Sequence, residues 1–333
     1  MQPAERSPDS MSTDSIDMEI DLSIVIVSWN TRRILDECLE SVFQGVEGVR
    51  AEVFVVDNAS SDGSAAMVAD KYPQVHLIEN RENLGFARAN NQAIRIARGR
   101  HVLLLNSDTV ILDDVLRRSV EYLNVHSSVG VMGCRVLNKD GTVQLTCSRY
   151  PTLLNLLLLT SGLFRFSRPS FLGRYQLRDW SRDTERDVDT VTGCFMLVRR
   201  SALDEVGLLD ERFFFYGEET DWCRRFKDSG WQLRFAPVGE IVHYGSLSSR
   251  QCNHRRDVML TRGLLQYHRK HSGAFTVATA WLLLGMFCAL RSVYWGVLAV
   301  NRRNRYARER CKHFCGVLAS FRETWPPRME AQS

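Results

Sequence analysis

The chain has 333 residues, of which 44% are apolar and 25% charged, as expected of a globular protein. This length is enough for one large domain or two small ones. A net charge of +4 is too small to argue for nucleic acid, and no nucleic-acid partner is expected. Nine cysteines without a C-x-x-C pair favour reduced thiols over a disulfide framework. Cys311 and Cys315 flank His313, but the sequence shows no second pair of ligands for a metal.

The first twenty residues are polar and acidic and contain no apolar run. A signal peptide needs a basic start followed by an apolar segment, so residues 1–20 are instead predicted to be a disordered leader.

From residue 22 onward, short apolar runs alternate with amphipathic helical stretches. The predicted strands are "LSIVIVSW", "AEVFVVD", "VHLIE" and "HVLLL", and helices are predicted between them. This alternation predicts an α/β fold with a mostly parallel sheet covered by helices on both faces. Ligands in such folds bind beyond the carboxyl ends of the strands, so the polar residues that follow each strand are candidate site residues.

The second half contains further strands, "VGVMGCRV", "VDTVTGCFMLV" and "WQLRFAP", with the helix "ETDWCRRFKDSG" before the last of them. Residues 149–187 form a long apolar and then basic excursion, which is predicted to be an insertion lying over the site. The α/β unit, which includes this insertion, is predicted to span residues 21–272.

Residues 273–290 contain no charged side chain, and arginines follow them in the C-terminal region 273–333. This length is close to what crosses a bilayer, and a buried core helix is the alternative. Membrane association is the preferred interpretation, as an interfacial helix, a hairpin or a true span. Arg291 inside the apolar region favours the first two forms.

Asp57 follows the second strand and opens "DNASSDGS", where it could accept hydrogen bonds from a base or a ribose or form an ordinary Asx-turn. Asn83, Gly85 and Asn90 surround a helix start, which suits a polar or anionic ligand as well as a simple cap.

Asp108 follows the strand "HVLLLN". Whether it belongs to an ordinary polar turn or to a functional site depends on which residues lie near it in the fold. Glu218, Glu219 and Asp221 lie within four residues at a helix start beside "FFFY". They complement the helix dipole, but like charges and apolar walls also raise carboxylate pKa values, which produces general bases. His243 follows another strand, and an imidazole with a carboxylate could bind Mn²⁺, whereas Mg²⁺ prefers oxygen ligands.

Seven segments occur in one order: "LSIVIVSWN", "VVDNASSDGS", "ENLGFARANNQAI", "LLLNSDT", "VTGCFMLVRR", "GLLDERFFFYGEETDWCRRFKDSGW" and "VHYGSLSS". Together they resemble the family 2 inverting glycosyltransferases of the GT-A fold, especially the rhamnosyltransferase-like branch of bacterial polysaccharide synthesis. The resemblance covers about residues 20–270 and implies an enzyme with a nucleotide-sugar donor.

The resemblance also implies roles for residues near the donor. The expected donor-binding residues are Ser28, Asn30, Asp57, Asn83, Gly85, Asn90 and Asn106. Asp108 corresponds to the last acid of the family's Asp-x-Asp element and, with His243, would bind a divalent metal, Mn²⁺ or Mg²⁺. Asn106 stands where that element has its first acid, so the metal would have fewer charged ligands.

For catalysis, the pair Glu218-Glu219 corresponds to the family's Glu-Asp motif, whose second acid deprotonates the acceptor hydroxyl. Glu219 replaces the usual Asp, which leaves the base open between Glu219 and Asp221. The acceptor would be bordered by Thr192, Gly193, Cys194 and Trp222.

The implied reaction is a single displacement with inversion, best assigned as rhamnose transfer from dTDP-rhamnose to a lipid-linked saccharide. Such acceptors, built on polyprenyl diphosphate, would place the enzyme at the membrane surface, on the cytoplasmic face of the inner membrane. The alternatives are a UDP- or GDP-sugar donor and a non-catalytic membrane scaffold that binds nucleotide-sugar. A dinucleotide-binding module is disfavoured because no G-x-G-x-x-G follows the first strand.

Overall fold

A computed structural model of the chain describes residues 20–161, 173–245, 253–301 and 304–327. Apart from residue 20, the predicted disordered leader lies outside the described residues. The strands are β1 (Leu22–Ser28), β2 (Ala51–Asp57), β3 (His76–Glu79), β4 (His101–Asn106), β5 (Thr109–Ile111), β6 (Val129–Leu137), β7 (Arg186–Asp187), β8 (Phe195–Arg199) and β9 (Gln232–His243).

The helices before the C-terminal region are α1 (Arg32–Gly45), α2 (Ser64–Lys71), α3 (Phe86–Ile94), α4 (Val115–Val125), α5 (Leu153–Ser161), α6 (Arg200–Val206) and α7 (Glu218–Asp228). Three longer helices follow: α8 (Asn253–His271), α9 (Ala274–Ala299) and α10 (Arg305–Ala319), with a 3₁₀ turn at Phe321–Thr324.

One sheet runs through the molecule in the order β3-β2-β1-β4-β8-β6-β9-β5, and β7 pairs with β9. The first four strands along this order are parallel, as predicted. The second half is mixed: β8 is antiparallel to both β4 and β6, and β5 and β7 are antiparallel to β9. The prediction of an α/β fold with a helix-covered sheet is confirmed, but the sheet as a whole is mixed rather than mostly parallel.

The apolar strand residues divide between two cores because successive side chains point to opposite faces of a sheet. In β1, Ile24 and Ile26 belong to the core shared with α1, whereas Val25 belongs to the core shared with α3. Helix α1 buries Leu35 and Leu39, at the spacing of one helix face. Both faces of the sheet are therefore covered.

The strand register brings the polar strand ends to one edge of the sheet. Ser28 pairs with Asp57, and Val27 pairs with Asn106. Strand β8 runs the opposite way, so the loop before Phe195 reaches the same edge. We call this the carboxyl-end edge.

The C-terminal helices pack against the α/β unit and against one another. Leu156 of α5 lies in an apolar cluster with Leu265 of α8 and Val277 of α9, so the start of the 149–187 segment joins these helices. That this segment covers the site stays a prediction. Helix α9 is long and apolar enough to cross a membrane, and the other described helices do not meet that criterion. The eight cysteines in the described part of the chain are free thiols.

Candidate active site

The loops after β1 and β2 are joined by hydrogen bonds between short polar groups. Asn30 has a left-handed backbone conformation. Its side-chain Oδ1 accepts from the Ser61 backbone amide at 2.8 Å, and its backbone amide donates to Ser60 Oγ at 2.9 Å. Asp57 Oδ2 accepts from the Ser60 amide at 2.9 Å. Asp57 Oδ1 is buried and has no hydrogen-bond partner among the described residues. Because such an acceptor is costly unless it is satisfied, Asp57 suits a ligand donor such as a nucleobase N–H.

Ser28 lies at the same edge but is fully buried, and its hydroxyl lies 2.8 Å from Thr31 Oγ1. Thr31 in turn donates to Ser107 Oγ at 3.2 Å. Ser28 therefore orders the loops next to the predicted donor site from inside the protein.

The loop before α3 is built around Asn83 and Gly85. Asn83 Oδ1 accepts from the Gly85 amide at 2.9 Å, and Gly85 has a positive φ of 80°. A side chain at Gly85 would place its Cβ 2.2 Å from the Phe214 carbonyl oxygen, so the position requires glycine. Asn90 is buried, and its side-chain Nδ2 donates to the Phe86 carbonyl at 2.9 Å within the same helix.

Asp108 and His243 meet where β5 pairs with the end of β9. Thr109 pairs with His243, and Asp108 Oδ1 lies 3.1 Å from His243 Nε2. Asn106 Nδ2 lies 3.3 Å from the same ring nitrogen. The structure thus brings together the two residues predicted to bind a metal, with Asn106 beside them.

A chain of hydrogen bonds sets the orientation of the His243 ring. Asp140 can only accept, and Thr142 Oγ1 donates to it at 2.6 Å, so Thr142 accepts from Asn138 Nδ2 at 3.0 Å. Asn138 Oδ1 then accepts from Gln144 Nε2 at 2.9 Å, and Gln144 Oε1 faces His243 Nδ1 at 2.7 Å. Nδ1 is therefore the donor nitrogen, and in a neutral ring Nε2 is left with its lone pair.

This arrangement fits a divalent cation. In the neutral ring, Nε2 and Asp108 Oδ1 are two acceptors 3.1 Å apart, a distance that calls for a shared cation or a second ring proton. A carboxylate and an imidazole are ligands that Mn²⁺ accepts. No group of three or more His, Cys, Asp or Glu side chains able to hold a metal occurs among the described residues, so further ligands would come from the donor diphosphate or water.

Glu218 and Glu219 form the first turn of α7. Glu218 is 2% exposed, and neither carboxyl group is ion-paired within the described residues. Burial, and then the neighbouring Glu219 charge, raise the pKa of Glu218 well above its ordinary value. Burial also raises the pKa of Glu219, although Glu218 and the Gly193 amide donate hydrogen bonds that oppose the shift. Glu218 therefore keeps its proton more readily, and Glu219 is left as the acceptor of the pair.

Asp221, only two residues further on, has a different environment. It is fully buried and contacts Lys270 Nζ at 2.7 Å, His271 Nε2 at 2.8 Å and Arg225 Nε at 3.0 Å. Burial alone would raise its pKa, but the His271 hydrogen bond and the two cations hold the pKa below its ordinary value. These contacts occupy the carboxylate, so the structure favours Glu219 over Asp221 as the base.

Three of the four residues predicted to border the acceptor lie before β8, close to Glu219. Thr192 Oγ1 accepts from the Cys147 amide at 3.3 Å. A Cβ at Gly193 would lie 3.8 Å from Glu219 Oε1. Burial, and then the neighbouring Cys147 thiol and the charges of Asp108 and Glu219, raise the pKa of the Cys194 thiol. The Asn106 amide donates to the Cys194 carbonyl at 3.2 Å, so the residues just before β8 contact both the end of β4 and, at Gly193, the Glu219 carboxylate.

The assignment of Trp222 to the acceptor site is wrong in this structure. Trp222 is fully buried, its indole N–H donates to the Gly207 carbonyl at 2.8 Å, and its ring packs on Phe226 one helical turn later. It points into the core because α7 is amphipathic and Trp222 lies on its apolar face.

Sequence reasoning missed two groups of residues. Gln144 lies in a hairpin that returns along β6, where its amide donates to the Val136 carbonyl, and the Asp140-Gly141 turn was the available signal. Lys270 and His271 lie about fifty residues from Asp221 in sequence and carried no local signal.

The fold and this site define a glycosyltransferase of the GT-A fold. The model of glycosyl transferase family 2 matches residues 23–207, more than half of the chain, and the chain belongs to this family. It is 26% identical to the N-acetylglucosaminyl-diphospho-decaprenol L-rhamnosyltransferase of Mycobacterium tuberculosis, over 81% of this chain and 91% of that protein. It is 28% identical to the low-salt glycan biosynthesis hexosyltransferase Agl10 of Haloferax volcanii, over 67% of each chain.

Two solved structures share the fold at low sequence identity. The mannosyltransferase PcManGT of Pyrobaculum calidifontis, in complex with GDP-Man and Mn²⁺, has a TM-score of 0.53 and 16% identity, over 91% of this chain and 86% of that one. GalNAc-T7, with UDP, GalNAc and Mn²⁺, has a TM-score of 0.54 and 15% identity, over 92% and 56%. These likenesses confirm the predicted fold class, and the family confirms that the chain is a glycosyltransferase.

Proposed function

We propose that this glycosyltransferase moves L-rhamnose from dTDP-rhamnose to a lipid-linked saccharide at the cytoplasmic face of the inner membrane, with inversion at the anomeric carbon. The observation that carries the proposal is the gathering of three groups at one edge of the sheet. These are the Asp57 oxygen that has no hydrogen-bond partner among the described residues, the Asp108-His243 pair, and the Glu219 carboxylate, which no cation of the described residues pairs with. The rhamnosyltransferase relative supports the sugar and the acceptor, because its name gives a diphospho-decaprenol acceptor.

Each residue has a role that follows from its surroundings. Asp57 would accept a hydrogen bond from the nucleobase of the donor. Its Oδ1, which has no partner among the described residues, lies among the loops at the carboxyl-end edge. Glu219 would take the proton of the acceptor hydroxyl as that oxygen attacks the anomeric carbon. Glu218, which holds its own proton, donates to Glu219 and keeps it oriented. The nucleoside diphosphate leaves from the opposite face, which gives inversion.

Asp108 and His243 would hold a divalent metal, Mn²⁺ or Mg²⁺. When bound, the metal neutralises negative charge on the leaving diphosphate. Gln144 acts on this pair through the His243 ring, because its side-chain oxygen accepts from Nδ1.

A donor panel tests the proposal. The full-length protein is incubated with dTDP-rhamnose or with common UDP- and GDP-sugars, a polyprenyl-diphospho-N-acetylglucosamine acceptor, and Mn²⁺, Mg²⁺ or a chelator. We expect metal-dependent transfer from dTDP-rhamnose and an inverted anomeric configuration in the product. Transfer from a UDP- or GDP-sugar alone would replace the donor assignment, and donor binding without transfer to any acceptor would indicate a non-catalytic protein.

A further inference from the structure

We propose that α9 lies in the plane of a membrane surface and anchors the protein there without crossing the bilayer. Its outward residues, together with Val300 that follows its last residue, form one apolar stripe: Phe275, Leu282, Met286, Leu290, Val293, Val297 and Val300, each between 55% and 82% exposed. At about 100° per residue these seven positions fall within roughly 80° of the helix circumference. The stripe contains no charged side chain along its length, which is unusual for a surface left in water.

The opposite side of α9 is used for packing inside the protein. Trp281, Leu284 and Cys288 lie in an apolar cluster shared with α8 and α10. A Cβ at Gly285 would lie 2.9 Å from the Phe321 ring, so the chains approach closely there. Arg291, the only charged residue of α9, stacks over the Phe287 ring on this side. The charge therefore does not interrupt the stripe.

Helix α10 runs back along α9 and prevents it from crossing a bilayer in this fold. Trp295 of α9 contacts Tyr306 at the start of α10, whereas Phe287 contacts Phe314 further along, so the two helices are antiparallel. Five charged side chains lie in the first eight residues of α10: Arg305, Arg308, Glu309, Arg310 and Lys312. If α9 spanned the bilayer, these groups would lie at hydrocarbon depth, where each is strongly disfavoured.

Charge identifies the occupant of the stripe as a bilayer with anionic lipids. Residues 300–327 contain seven Lys and Arg residues and two acidic ones, and they follow directly on α9. Basic residues beside an apolar helical face attract anionic headgroups while the face enters the boundary between headgroups and acyl chains. A second copy of the chain would instead bring the two basic segments near one another.

The anchor is bonded to the catalytic helix, which gives it a consequence for the reaction. Lys270 and His271 end α8, three residues before α9 begins, and both contact Asp221 on α7. A Cβ at Gly263 of α8 would lie 2.0 Å from the Tyr216 carbonyl oxygen, so backbone packs on backbone just before α7. A bilayer bound to α9 therefore holds Glu219 at a constant height above the lipid surface.

Vesicle flotation of the full-length protein tests the proposal. Vesicles of phosphatidylcholine with an equal part of phosphatidylglycerol should carry the protein upward, and vesicles of phosphatidylcholine alone should carry less. Val293→Glu and Val297→Glu should each weaken lipid binding roughly tenfold, since each places a charge where a Val side chain enters the bilayer. Val125→Glu is the matched control, because Val125 is 78% exposed on α4 and should bind like wild type.

A second measurement separates lying in the plane from crossing. When protein is added to preformed sealed vesicles, the exposed Cys315 thiol on α10 should stay reactive toward an impermeant maleimide, with Cys315→Ser as the blank. Protection of Cys315 after binding would overturn the in-plane arrangement. Unchanged flotation of both stripe variants would overturn the anchor, as would a dimer that Val297→Glu dissociates while lipid binding persists. None of these outcomes depends on the sugar donor, so the proposed reaction can fail while the anchor stands.

Discussion

The predicted donor side and the predicted acceptor side of the candidate site are held together by different interactions. On the donor side, the loops after β1 and β2 are joined by neutral hydrogen bonds, such as those of Asn30 with Ser60 and Ser61. On the predicted acceptor side, α7 is joined to α8 by the Lys270–Asp221 ion pair and the His271–Asp221 hydrogen bond, both centred on a buried carboxylate. Ion pairs occupy a carboxylate, whereas amide and hydroxyl bonds arrange a loop without adding charge.

The difference explains why carboxylates two residues apart on α7 have opposite properties. Asp221 is surrounded by cations and its pKa is lowered, whereas burial raises the pKa of Glu219 in the same helical turn. The negative charge that joins α7 to α8 is thus on Asp221, whereas the charge proposed to act in the reaction is on Glu219. Mutating Asp221 and Glu219 separately is the most direct test of this difference.

The largest effect is expected from removing the two charges separately. Glu219→Gln should lower kcat by about 10²–10⁴-fold, because the base is lost while the shape is kept. Asp221→Asn should instead lower the free energy of unfolding by on the order of 3 kcal/mol, because it removes the buried negative charge that Lys270, His271 and Arg225 share. The measurements are steady-state transfer and urea unfolding of both variants.

Each variant is the control for the other. Glu219→Gln should unfold near the wild-type urea midpoint, and folded Asp221→Asn should keep activity well above that of Glu219→Gln. If Asp221→Asn kept full stability but lost activity to the same extent as Glu219→Gln, Asp221 would be the base and the comparison would fail.

Sequence alone predicted the residues whose signal is local. Asp57 and Asp108 were identified because each ends an apolar strand, and the register places the ends of those strands at one edge. Trp222 was misassigned because its aromatic type was considered without its helix face, which it shares with Phe226. The partners of Asp221 could not be predicted, since they depend on how α8 returns to α7.

The mixed strand directions of the sheet also could not be predicted from local sequence signals. The direction of β8 depends on the long connection after β6, and apolar patterns do not encode strand direction. Gln144 was missed because its importance depends on the pairing of distant strands, which brings His243 to it.

The second prediction concerns the donor side, where neutral bonds should orient the residues predicted to bind the metal. Gln144→Leu removes the acceptor for His243 Nδ1 and should weaken Mn²⁺ binding by about 10–100-fold, as expected when a ligand loses its supporting hydrogen bond. Titration of Mn²⁺ by electron paramagnetic resonance in the presence of a nucleoside diphosphate measures this directly.

Gln144→Glu retains an acceptor at the same position and is the matched control, so it should bind Mn²⁺ within a few-fold of wild type. Equal loss of binding in both variants would mean that Gln144 supports only the hairpin. Unchanged binding in both would mean that the His243 ring does not need this bond.

The smallest effect is expected at Glu218, and its pH dependence makes it informative. The pKa of Glu218 is raised well above 4.5 by burial and by Glu219, so the folded protein keeps a proton that the unfolded chain releases above about that pH. The Glu218 contribution to stability is therefore fully present below pH 4.5 and declines as pH rises toward the folded pKa. Glu218→Gln resembles the protonated form and does not titrate, so its stability relative to wild type should increase with pH across this window.

Glu218→Gln should also keep kcat within about tenfold of wild type, because the amide can still donate to Glu219. Unfolding midpoints and kcat measured across the same pH series test both statements. If Glu218→Gln lost as much activity as Glu219→Gln, the two carboxyls would act as one catalytic unit rather than as a donor and a base. A pH-independent stability difference would mean that Glu218 is ionised in the folded protein, and the division of roles on α7 would have to be reassigned.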